Sequence, residues 1–362
     1  MIDHPNIIIL NGREFNEEAL RHLIKEKLSS PHLPAWESEL FSFLEEWISE
    51  SETIEARTSG STGDPQMIRL PKNTMEQSAY RTIDFFGLQC GNRILLSLPC
   101  RFIAGKMMVV RAIVGRMNLV TIDPSGDFDI LLEETFDFGS MVPNQVYKLL
   151  ENPAGKRKLE NIRNLLIGGS AIPGTLEKQV KELKSRVVST YGMTETASHI
   201  AIRELSGEMA SDIYKCLRGI SVSNGIDDCL QIHTGGWSDP LQTRDIAEIL
   251  SSDRFHILGR IDDVIISGGI KYFPETIERK IESLIQKRFV ISSSPDEKLG
   301  EKLVLVIEGE PSPSENLMSE LKRSLPTFEL PKSIIYLPNF PETSSGKIQR
   351  AEIKKLTNPL FK

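Results

Sequence analysis

The sequence predicts an α/β protein of two domains, and two observations lead to this fold class. Over residues 90–205, apolar runs typical of buried strands alternate with segments of helical periodicity, the pattern of a mostly parallel sheet flanked by helices. After residue 205 come short strand-like runs, and then an α+β module of roughly 100 residues, a size that folds by itself. We therefore expect a large N-terminal domain with a small β subdomain, residues 1–261, and a small C-terminal α+β domain, residues 262–362.

The elements of the α/β series follow from the apolar runs and the helix starts between them. The predicted strands are RILLSLP (93–99), NLVTID (118–123), SMVP (140–143), IRNLLIGGS (162–170) and RVVSTYG (186–192). The predicted helices are residues 102–114, one that begins at Asn144 and one opened by Pro173. Ligands bind at the carboxyl ends of parallel strands, so the runs LPCRF, GGSAIP and YGMTET mark the expected binding edge.

The rest of the chain carries the β subdomain and the C-terminal module. The subdomain strands are expected at CLQIHT (229–234), DIAEIL (245–250) and FHILGR (255–260). The module contains the predicted strands KRFVISSS (287–294) and KLVLVIEG (302–309), the predicted helix PETIERKIESLI (274–285) and a predicted helix near ENLMSELKRSL (315–325). The runs DVIISGG (263–269) and SIIYLP (333–338) also belong to it. The junction GRIDDV has no long linker, which predicts a tight hinge there.

Composition excludes several classes of protein. The 362 residues carry a formal net charge of −7, whereas a nucleic-acid binder needs a basic face. Four cysteines lie far apart without a CxxC pair, and six histidines show no metal-ligand spacing. Neither a signal peptide nor a membrane span is indicated, so we expect a cytoplasmic protein without a membrane partner.

The stretch TSGSTGDPQ begins at Thr58 and has no apolar side chain to bury. It lies between IEAR and MIRL, two extended-looking runs, which predicts a hairpin-like connection. The spacing of a Walker loop is absent, because Gly60 and Gly63 are three apart and no lysine follows. Composition alone leaves two interpretations open: a solvated turn, or a loop whose backbone N–H groups and hydroxyls wrap phosphate oxygens.

Six motifs together resemble one family. TSGSTGDPQ, GGSAIP, YGMTET, LQTRD, GRIDDVIISGGIKYFPETIE and PETSSGKIQR occur in the order and approximate spacing of the adenylate-forming superfamily of acyl- and aryl-CoA synthetases, adenylation domains and luciferases. The resemblance covers about residues 55–350. It implies that a carboxylic acid attacks the α-phosphate of ATP, and that a thiol then displaces AMP from the acyl-adenylate. ATP, Mg²⁺ and CoA are the small molecules it implies, and it also implies a mobile C-terminal domain.

The resemblance implies roles for residues of the N-terminal domain. Tyr191 and Gly192 would lie against adenine, Thr194 would bond a phosphate, and Glu195 would carry the magnesium ion. Asp245 would accept the ribose hydroxyls, and Arg260 would contact ribose or phosphate. The implied phosphate loop is Thr58, Ser59, Gly60, Ser61, Thr62 and Gly63, and the implied strand-end turn of the adenine and acyl pocket is Gly168, Gly169, Ser170 and Ala171.

The C-terminal domain is expected to serve both half-reactions. Lys347 resembles the catalytic lysine that draws the carboxylate and the α-phosphate together and offsets the charge that forms. Asp262 resembles the hinge residue about which the domain rotates. After the rotation, Gly268 and Gly269 would let the pantetheine arm of CoA pass.

The chain departs from the family pattern at three positions. Gln66 stands where most members carry lysine, which leaves Arg69 or Lys72 as possible replacements. Arg244 stands where glycine is usual, and Phe102 where a histidine or another aromatic residue gates the acyl pocket.

The short form most resembles the o-succinylbenzoate–CoA ligases of menaquinone biosynthesis. An acid with two carboxylates needs an apolar slot and a donor for the carboxylate that is retained. Lys106, Ser198 and His199 are the expected substrate-pocket residues. Three alternatives stay open: another aryl- or acyl-CoA ligase, an enzyme that loads a carrier protein, and a catalytically silent nucleotide-binding protein. A homo-oligomer is possible.

Overall fold

The protein, described from a computed structural model, forms two compact units. The structure describes residues 7–57, 66–235, 237–311, 317–342 and 348–358. The first unit comprises Met1–Ile172 and Leu176–Ile220, and the second comprises Pro173–Thr175 and Ser221–Lys362. The predicted hinge residue Asp262 lies inside the second unit, and the domain boundary between residues 261 and 262 stays a prediction.

The first unit alternates strands and helices over most of its length. Its strands are β1 (Ile8–Leu10), β2 (Arg13–Phe15), β3 (Thr53–Arg57), β4 (Met67–Pro71), β5 (Arg93–Leu96), β6 (Asn118–Thr121), β7 (Phe136–Met141), β8 (Ile162–Ile167), β9 (Arg186–Met193), β10 (Ser198–Glu204) and β11 (Tyr214–Cys216). Its helices are α1 (Glu17–Leu28), α2 (Ala35–Trp47), α3 (Lys72–Phe86), α4 (Ile103–Gly115), α5 (Ile130–Glu133), α6 (Pro143–Leu150), α7 (Gly155–Glu160) and α8 (Gly174–Lys181), whose first two residues belong to the second unit.

The predicted parallel sheet is confirmed. Its strand order within the first unit is β11-β10-β9-β8-β7-β5-β6-β1-β2, and the pairs from β9 to β1 are parallel. The antiparallel strands are β2 at one end and β10 and β11 at the other. The parallel strands read as continuous apolar runs because both faces are covered, and residues such as Leu165 and Val187 are fully buried.

The parallel strands bring several chain segments to one edge of the sheet. Met141 at the end of β7 lies beside Ile167 at the end of β8, and Ile167 lies beside Ser189 of β9. Strand β9 therefore continues four residues past the end of β8. Because the carboxyl ends of parallel strands meet at one edge, the runs after β5, β7, β8 and β9 share that edge, as predicted.

The second unit contains two sheets. Its elements are β12 (Ile220–Asn224), β13 (Cys229–Thr234), β14 (Leu241–Ser251), β15 (Arg254–Arg260), β16 (Ile265–Ser267), β17 (Ile270–Tyr272), α9 (Pro274–Ile281), β18 (Phe289–Asp296), β19 (Gly300–Glu308), α10 (Leu317–Ser324), β20 (Ser333–Leu337) and α11 (Arg350–Thr357). Strands β12 to β15 are neighbours in chain order, and the pairs β13–β14 and β14–β15 are antiparallel. The other sheet has the order β17-β16-β19-β18, with β20 parallel to β19.

The predicted β subdomain and α+β module are thus both present as structures. The sheet of β16–β20 has its own core, which includes Ile277, Ile281, Leu305 and Leu321. Within the described part of the chain, no helix is both long and apolar enough to cross a membrane.

Candidate nucleotide and acid site

The hairpin that carries the predicted phosphate loop is present. Strands β3 and β4 pair antiparallel, with Arg57 opposite Met67, so these two strands form the predicted hairpin. The loop residues Thr58, Ser59, Gly60, Ser61, Thr62 and Gly63 lie outside the described residues, and their phosphate role stays a prediction.

Both cations proposed to replace the missing loop lysine have partners on or near the hairpin. Arg69 lies 3.7 Å from Glu55 across the two strands. The Lys72 ammonium donates to the Ser49 carbonyl at 2.8 Å and lies 5.9 Å from the centre of the Trp47 ring. Desolvation lowers the pKa of Lys72, opposed by the charge of Glu46 and Glu76. Arg69 is the more exposed of the two cations, with 76% of its side chain accessible.

The glycine-rich turn after β8 lies against the extension of β9. A Cβ on Gly168 would approach the Thr190 hydroxyl oxygen to 2.4 Å, so a larger residue there would have to displace that hydroxyl. Gly169 has φ +92, a conformation that L side chains rarely adopt. Ser170 and Ala171 are exposed beyond the turn. An exposed glycine turn is therefore present at the edge of the sheet where ligands are expected, and its role in the adenine and acyl pocket stays a prediction.

Tyr191 and Gly192 lie on the part of β9 that extends past β8. The Tyr191 ring packs at 5.9 Å from the Tyr214 ring, tilted by 59°. A Cβ on Gly192 would meet the Ser198 carbonyl oxygen at 2.3 Å, because β10 runs directly alongside. In that pairing His199 lies opposite Gly192. Two of the three predicted acid-pocket residues, Ser198 and His199, thus lie beside the strand that carries the predicted adenine residues.

The TET turn links these two strands and has unusual backbone geometry. Thr194 is buried and Glu195 is exposed, in a single helical turn over Thr194–Thr196. Ala197 and Ser198 follow with φ +50 and +99, a strained pair for residues other than glycine. An exposed carboxylate is an oxygen ligand of the kind that magnesium prefers, and the role of Glu195 in holding that ion stays a prediction. The described residues contain no group of three or more His, Cys, Asp or Glu that could hold a metal ion.

Helix α4 carries a buried arginine that the sequence analysis missed. Arg111 is 2% exposed, and its Nη2 donates to the Ser198 hydroxyl at 3.0 Å and lies 3.5 Å from His199 Nδ1. Its Nη1 lies 3.7 Å from the Met108 sulfur. No salt bridge joins Arg111 to a carboxylate, and its Nε has no hydrogen-bond partner, among the residues that the structure describes. The Arg111 guanidinium is therefore a buried cation without a carboxylate partner among the residues that the structure describes.

Burial and the hydrogen bonds around Arg111 determine the charge and the tautomer of the His199 imidazole. Burial, reinforced by the charge of Arg111, lowers the pKa of His199 well below 6.5, so the imidazole is neutral. Thr82 donates to the Ser78 carbonyl at 3.1 Å, so its hydroxyl oxygen is free to accept from His199 Nε2 at 3.2 Å. Nδ1 is then the acceptor that faces the guanidinium, an assignment that follows from the network. Burial lowers the pKa of Arg111 to about 9, so it stays charged at neutral pH.

Lys106 lies on the same helix but contacts a different set of residues. Its ammonium donates to Glu46 Oε2 at 3.2 Å and to the Glu55 carbonyl at 2.7 Å. Ser198 and His199 come together around Arg111, whereas Lys106 lies against α2 and β3. Phe102 precedes the helix, with the Arg101 guanidinium 4.9 Å from the centre of its ring.

The second unit brings its own predicted residues together. Asp245 lies opposite Arg260 in the β14–β15 pair, and Arg260 Nη1 donates to Asp245 Oδ1 at 3.3 Å. Arg244, the residue that departs from the family pattern, donates to both carboxylate oxygens of Asp262, with Nε to Oδ2 at 2.8 Å. This hydrogen bonding lowers the pKa of Asp262. The predicted ribose and hinge residues therefore form one charged cluster.

Gly268 and Gly269 form the tight turn between β16 and β17, with φ +59 and +81. Lys347 lies outside the described residues, and its catalytic role stays a prediction. Three residues later, Arg350 opens α11 and donates to both oxygens of Glu278, at 2.7 and 2.6 Å. Asp263 and Glu275 approach the same guanidinium at 4.0 and 3.8 Å.

Glu275→Gln is expected to change how stability depends on pH. Burial raises the pKa of Glu275 from 4.5 to about 7, opposed by the charge of Arg350. The folded protein then binds this proton more tightly than the unfolded chain, so this group makes stability fall as pH rises from 4.5 to about 7. The variant lacks that loss. Its Tm relative to wild type should rise across this window and level off above it, as measured by differential scanning calorimetry.

Glu278→Gln is the contrasting variant. It breaks the bidentate pair with Arg350 and should lower Tm throughout the same window. Parallel Tm curves for wild type and Glu275→Gln would contradict the assignment of the raised pKa to Glu275.

Comparison with known proteins identifies the family to which the chain is similar. Residues 57–221 match the family model described as "AMP-binding enzyme". The chain is 25% identical to a 2-succinylbenzoate–CoA ligase of Lactococcus lactis, over 96% of this chain and 84% of that protein. It is also 25% identical to an indoleacetate–CoA ligase of Aromatoleum aromaticum, over 83% of this chain and 66% of that protein.

A solved structure adds evidence over nearly the whole chain. An acyl-CoA synthetase (AMP-forming)/AMP-acid ligase II-like protein from Dyadobacter fermentans superposes with a TM-score of 0.60 at 33% identity, covering 93% of this chain and 98% of that one. The chain belongs to the AMP-binding enzyme family, the adenylate-forming ligases.

Proposed function

We propose that the protein activates an aryl carboxylic acid that bears a second carboxylate, and transfers the acyl group to CoA. ATP supplies the adenylate and Mg²⁺ offsets charge on its phosphate oxygens. The acid that fits best is o-succinylbenzoate, with o-succinylbenzoyl-CoA as the product. One observation carries this choice: Arg111 is a buried cation without an anionic partner among the described residues.

The physical argument rests on the cost of burying charge. A desolvated cation without a counter-ion costs several kcal/mol, which a ligand carboxylate would offset on binding. Ser198 and His199, which bond Arg111, lie opposite Met193 and Gly192 in the strand pairing, beside the predicted adenine residues. An acid whose other carboxylate is being adenylated there has its retained carboxylate within the same region. The neutral His199 adds no positive charge, so Arg111 is the cation of this network.

The rest of the chain would position the reactants in the first half-reaction. The phosphate loop, residues 58–63, would hold the triphosphate, and Glu195 would carry the magnesium ion. Asp245 would accept hydrogen bonds from the ribose hydroxyls, which would replace its present hydrogen bond from Arg260. Lys347 would lie between the attacking carboxylate and the α-phosphate, where it neutralises developing charge.

In the second half-reaction, rotation at Asp262 would withdraw Lys347 from the acyl-adenylate. The turn at Gly268 and Gly269 would then admit the pantetheine arm, whose thiolate displaces AMP. The turn is tight and lacks side chains, which suits close passage of a ligand chain.

A ligase for a different aryl or acyl acid is the second candidate. The equal identity to an indoleacetate–CoA ligase favours it, because that acid has a single carboxylate. The two candidates differ in what faces Arg111: a ligand carboxylate in the first case, and the protein's own hydroxyl and imidazole alone in the second.

The test pairs two acids that differ in one group. The enzyme is incubated with ATP, Mg²⁺ and CoA, and with either o-succinylbenzoate or benzoylpropionate, which lacks only the ring carboxylate. Pyrophosphate release is measured and the thioester is identified by mass. We expect kcat/KM to be at least tenfold higher for o-succinylbenzoate, since a buried charge pair contributes more than about 1.4 kcal/mol.

Other results would point elsewhere. Equal or higher activity on benzoylpropionate or indoleacetate would support the second candidate. Acyl transfer to a holo carrier protein but not to CoA would change the acceptor. Absence of pyrophosphate release with every acid would contradict an active ligase.

A further inference from the structure

Strand β4 pairs with one edge of β3, and side chains form hydrogen bonds with the backbone at the other edge, where a third strand would otherwise pair. In the described structure β3 and β4 form a two-stranded sheet. The Glu55 N–H donates to Glu46 Oε1 at 2.6 Å, and the Glu55 carbonyl accepts from the Lys106 ammonium at 2.7 Å. Both backbone groups of one residue are therefore satisfied by α2 and α4, as they would be by a neighbouring strand.

These two side chains also bond each other. Lys106 Nζ lies 3.2 Å from Glu46 Oε2, which closes a ring of three contacts with Glu55. The lysine side chain is 10% exposed, and its ammonium lies 5.0 Å from the centre of the Phe43 ring. Because the lysine is largely buried and the Glu46 side chain is 29% exposed, the pair holds a more definite geometry than a fully exposed ion pair.

We propose that Glu46 and Lys106 are positioning residues that hold the hairpin of the phosphate loop. Glu55 precedes Thr58 by three residues, so the position of Glu55 determines where β3 ends and where the loop begins. The inference rests on the proposed ATP-phosphate role of that loop. It assigns Lys106 to the nucleotide side of the reaction, whereas the sequence predicted that it contacts the acid.

The geometry also argues against direct contact between Lys106 and the acid. Two of the three ammonium hydrogens point to Glu46 and to the Glu55 carbonyl, and the paired carboxylate neutralises the charge. Arg111, five residues later on the same helix, has no such carboxylate partner among the described residues. Lys106 and Arg111 therefore have different proposed roles, and measuring KM for ATP and KM for the acid separately can distinguish these roles.

The test substitutes Lys106 and measures each substrate separately. Lys106→Met keeps the length of the side chain and removes the donors. We expect KM for ATP to rise about 10-fold to 100-fold, because a small displacement of a positioning element costs that much. KM for the acid should stay within about twofold of wild type, since Arg111 is unchanged. Lys106→Arg can still donate to both oxygens and should recover most of the loss.

Lys27→Met is the matched control. Lys27 also pairs with a glutamate of α2, Glu37 at 3.3 Å, and lies 5.7 Å from a phenylalanine ring of α2, Phe41. It does not contact β3 in the described structure. Its KM for ATP should equal that of wild type, which separates the effect on β3 from a general weakening of α2.

Glu46→Gln covers the case in which Lys106→Met does not fold. The amide oxygen can still accept from the Glu55 N–H, while the bond to Lys106 is lost, so KM for ATP should rise less than in Lys106→Met. The proposal is overturned if KM for the acid rises while KM for ATP does not, or if Lys27→Met gives the same increase. These outcomes require an active wild-type enzyme, so failure of the proposed function is recognised separately, by a wild type that releases no pyrophosphate.

Discussion

Lys347→Ala is expected to lower the rate of acyl-adenylate formation by about 10²–10³-fold, the loss typical of removing one group that stabilises transition-state charge. Formation of the thioester from supplied acyl-adenylate should stay near the wild-type rate, because the lysine would be withdrawn in that half-reaction. The two rates are measured separately, by pyrophosphate release in single turnover and by CoA consumption with synthetic acyl-adenylate.

Lys355→Ala is the control for this prediction. Lys355 lies on α11 a few residues later and pairs only with Glu352 of its own helix among the described contacts, with 63% of its side chain exposed. Both half-reactions should keep their rates in this variant. An equal loss of both rates in Lys347→Ala would show that the lysine is not specific to adenylation.

Arg111→Met is expected to lower kcat/KM for o-succinylbenzoate by about 10²-fold, since truncating one partner of a buried, hydrogen-bonded charge pair costs about 2–5 kcal/mol. Activity on benzoylpropionate should change little. The free protein should become more stable, because an uncompensated buried cation is replaced by an apolar side chain of similar length. After the change Ser198 can still donate to His199 Nδ1, at 3.2 Å in the present structure. Kinetics with both acids and Tm without ligand check the three statements.

Arg203→Met provides the opposite case. Arg203 is also buried, at 7% exposure, but it pairs with Glu177 and with Asp212 at 3.2 Å. Its removal leaves two carboxylates without their cation, so Tm should fall and the selectivity between the acids should stay the same. If Arg111→Met also lowers Tm and affects both acids alike, Arg111 is a structural residue and the dicarboxylic substrate loses its support.

The ion pair of Arg244 gives a physical reason for one departure from the family pattern. From the sequence, an arginine in place of glycine is only an anomaly. In the structure its guanidinium bonds both oxygens of Asp262, the predicted hinge residue, which also lies 3.7 Å from Arg260. Rotation at Asp262 would therefore either break the ion pair between Arg244 and Asp262 or move both residues together. A family member with glycine at this position has no such contact.

Much of the fold could be predicted because its signals are local. The alternation of apolar runs and helical segments predicted β5, β6, β8 and β9, which differ from the predicted runs mainly at their ends. The strand predicted at 140–143 was misplaced, because β7 spans Phe136–Met141 and Pro143 is the first residue of α6. Strand β13 matches its prediction over the whole of Cys229–Thr234. The segments before residue 53 were left without assignment, although they form α1, α2 and the β1–β2 hairpin. Their roles depend on which distant segment they pack against, such as α2 against β3.

The predicted site residues depended on motif order, and a motif does not define side-chain partners. Lys106 and Arg111 are both cations in the apolar run of α4, and the sequence analysis named only Lys106. The available signal for Arg111 was a charge within MMVVRAIVG, a run otherwise fit only for burial. Which of the two had a carboxylate partner depends on Glu46, 60 residues away.

The sequence by itself determined the family, the parallel sheet and the edge at which its ligands are expected, because hydrophobic period, glycine positions and motif order are written in neighbouring residues. Only the tertiary structure decided how the charges are paired. It joined Lys106 to Glu46 and the backbone of β3, joined Arg244 to Asp262, and left Arg111 buried without a carboxylate among the described residues. The reason is that the charge balance of a buried group depends on side chains that are distant in the sequence and meet only in the folded protein. The local sequence pattern does not show which of these side chains will be in contact.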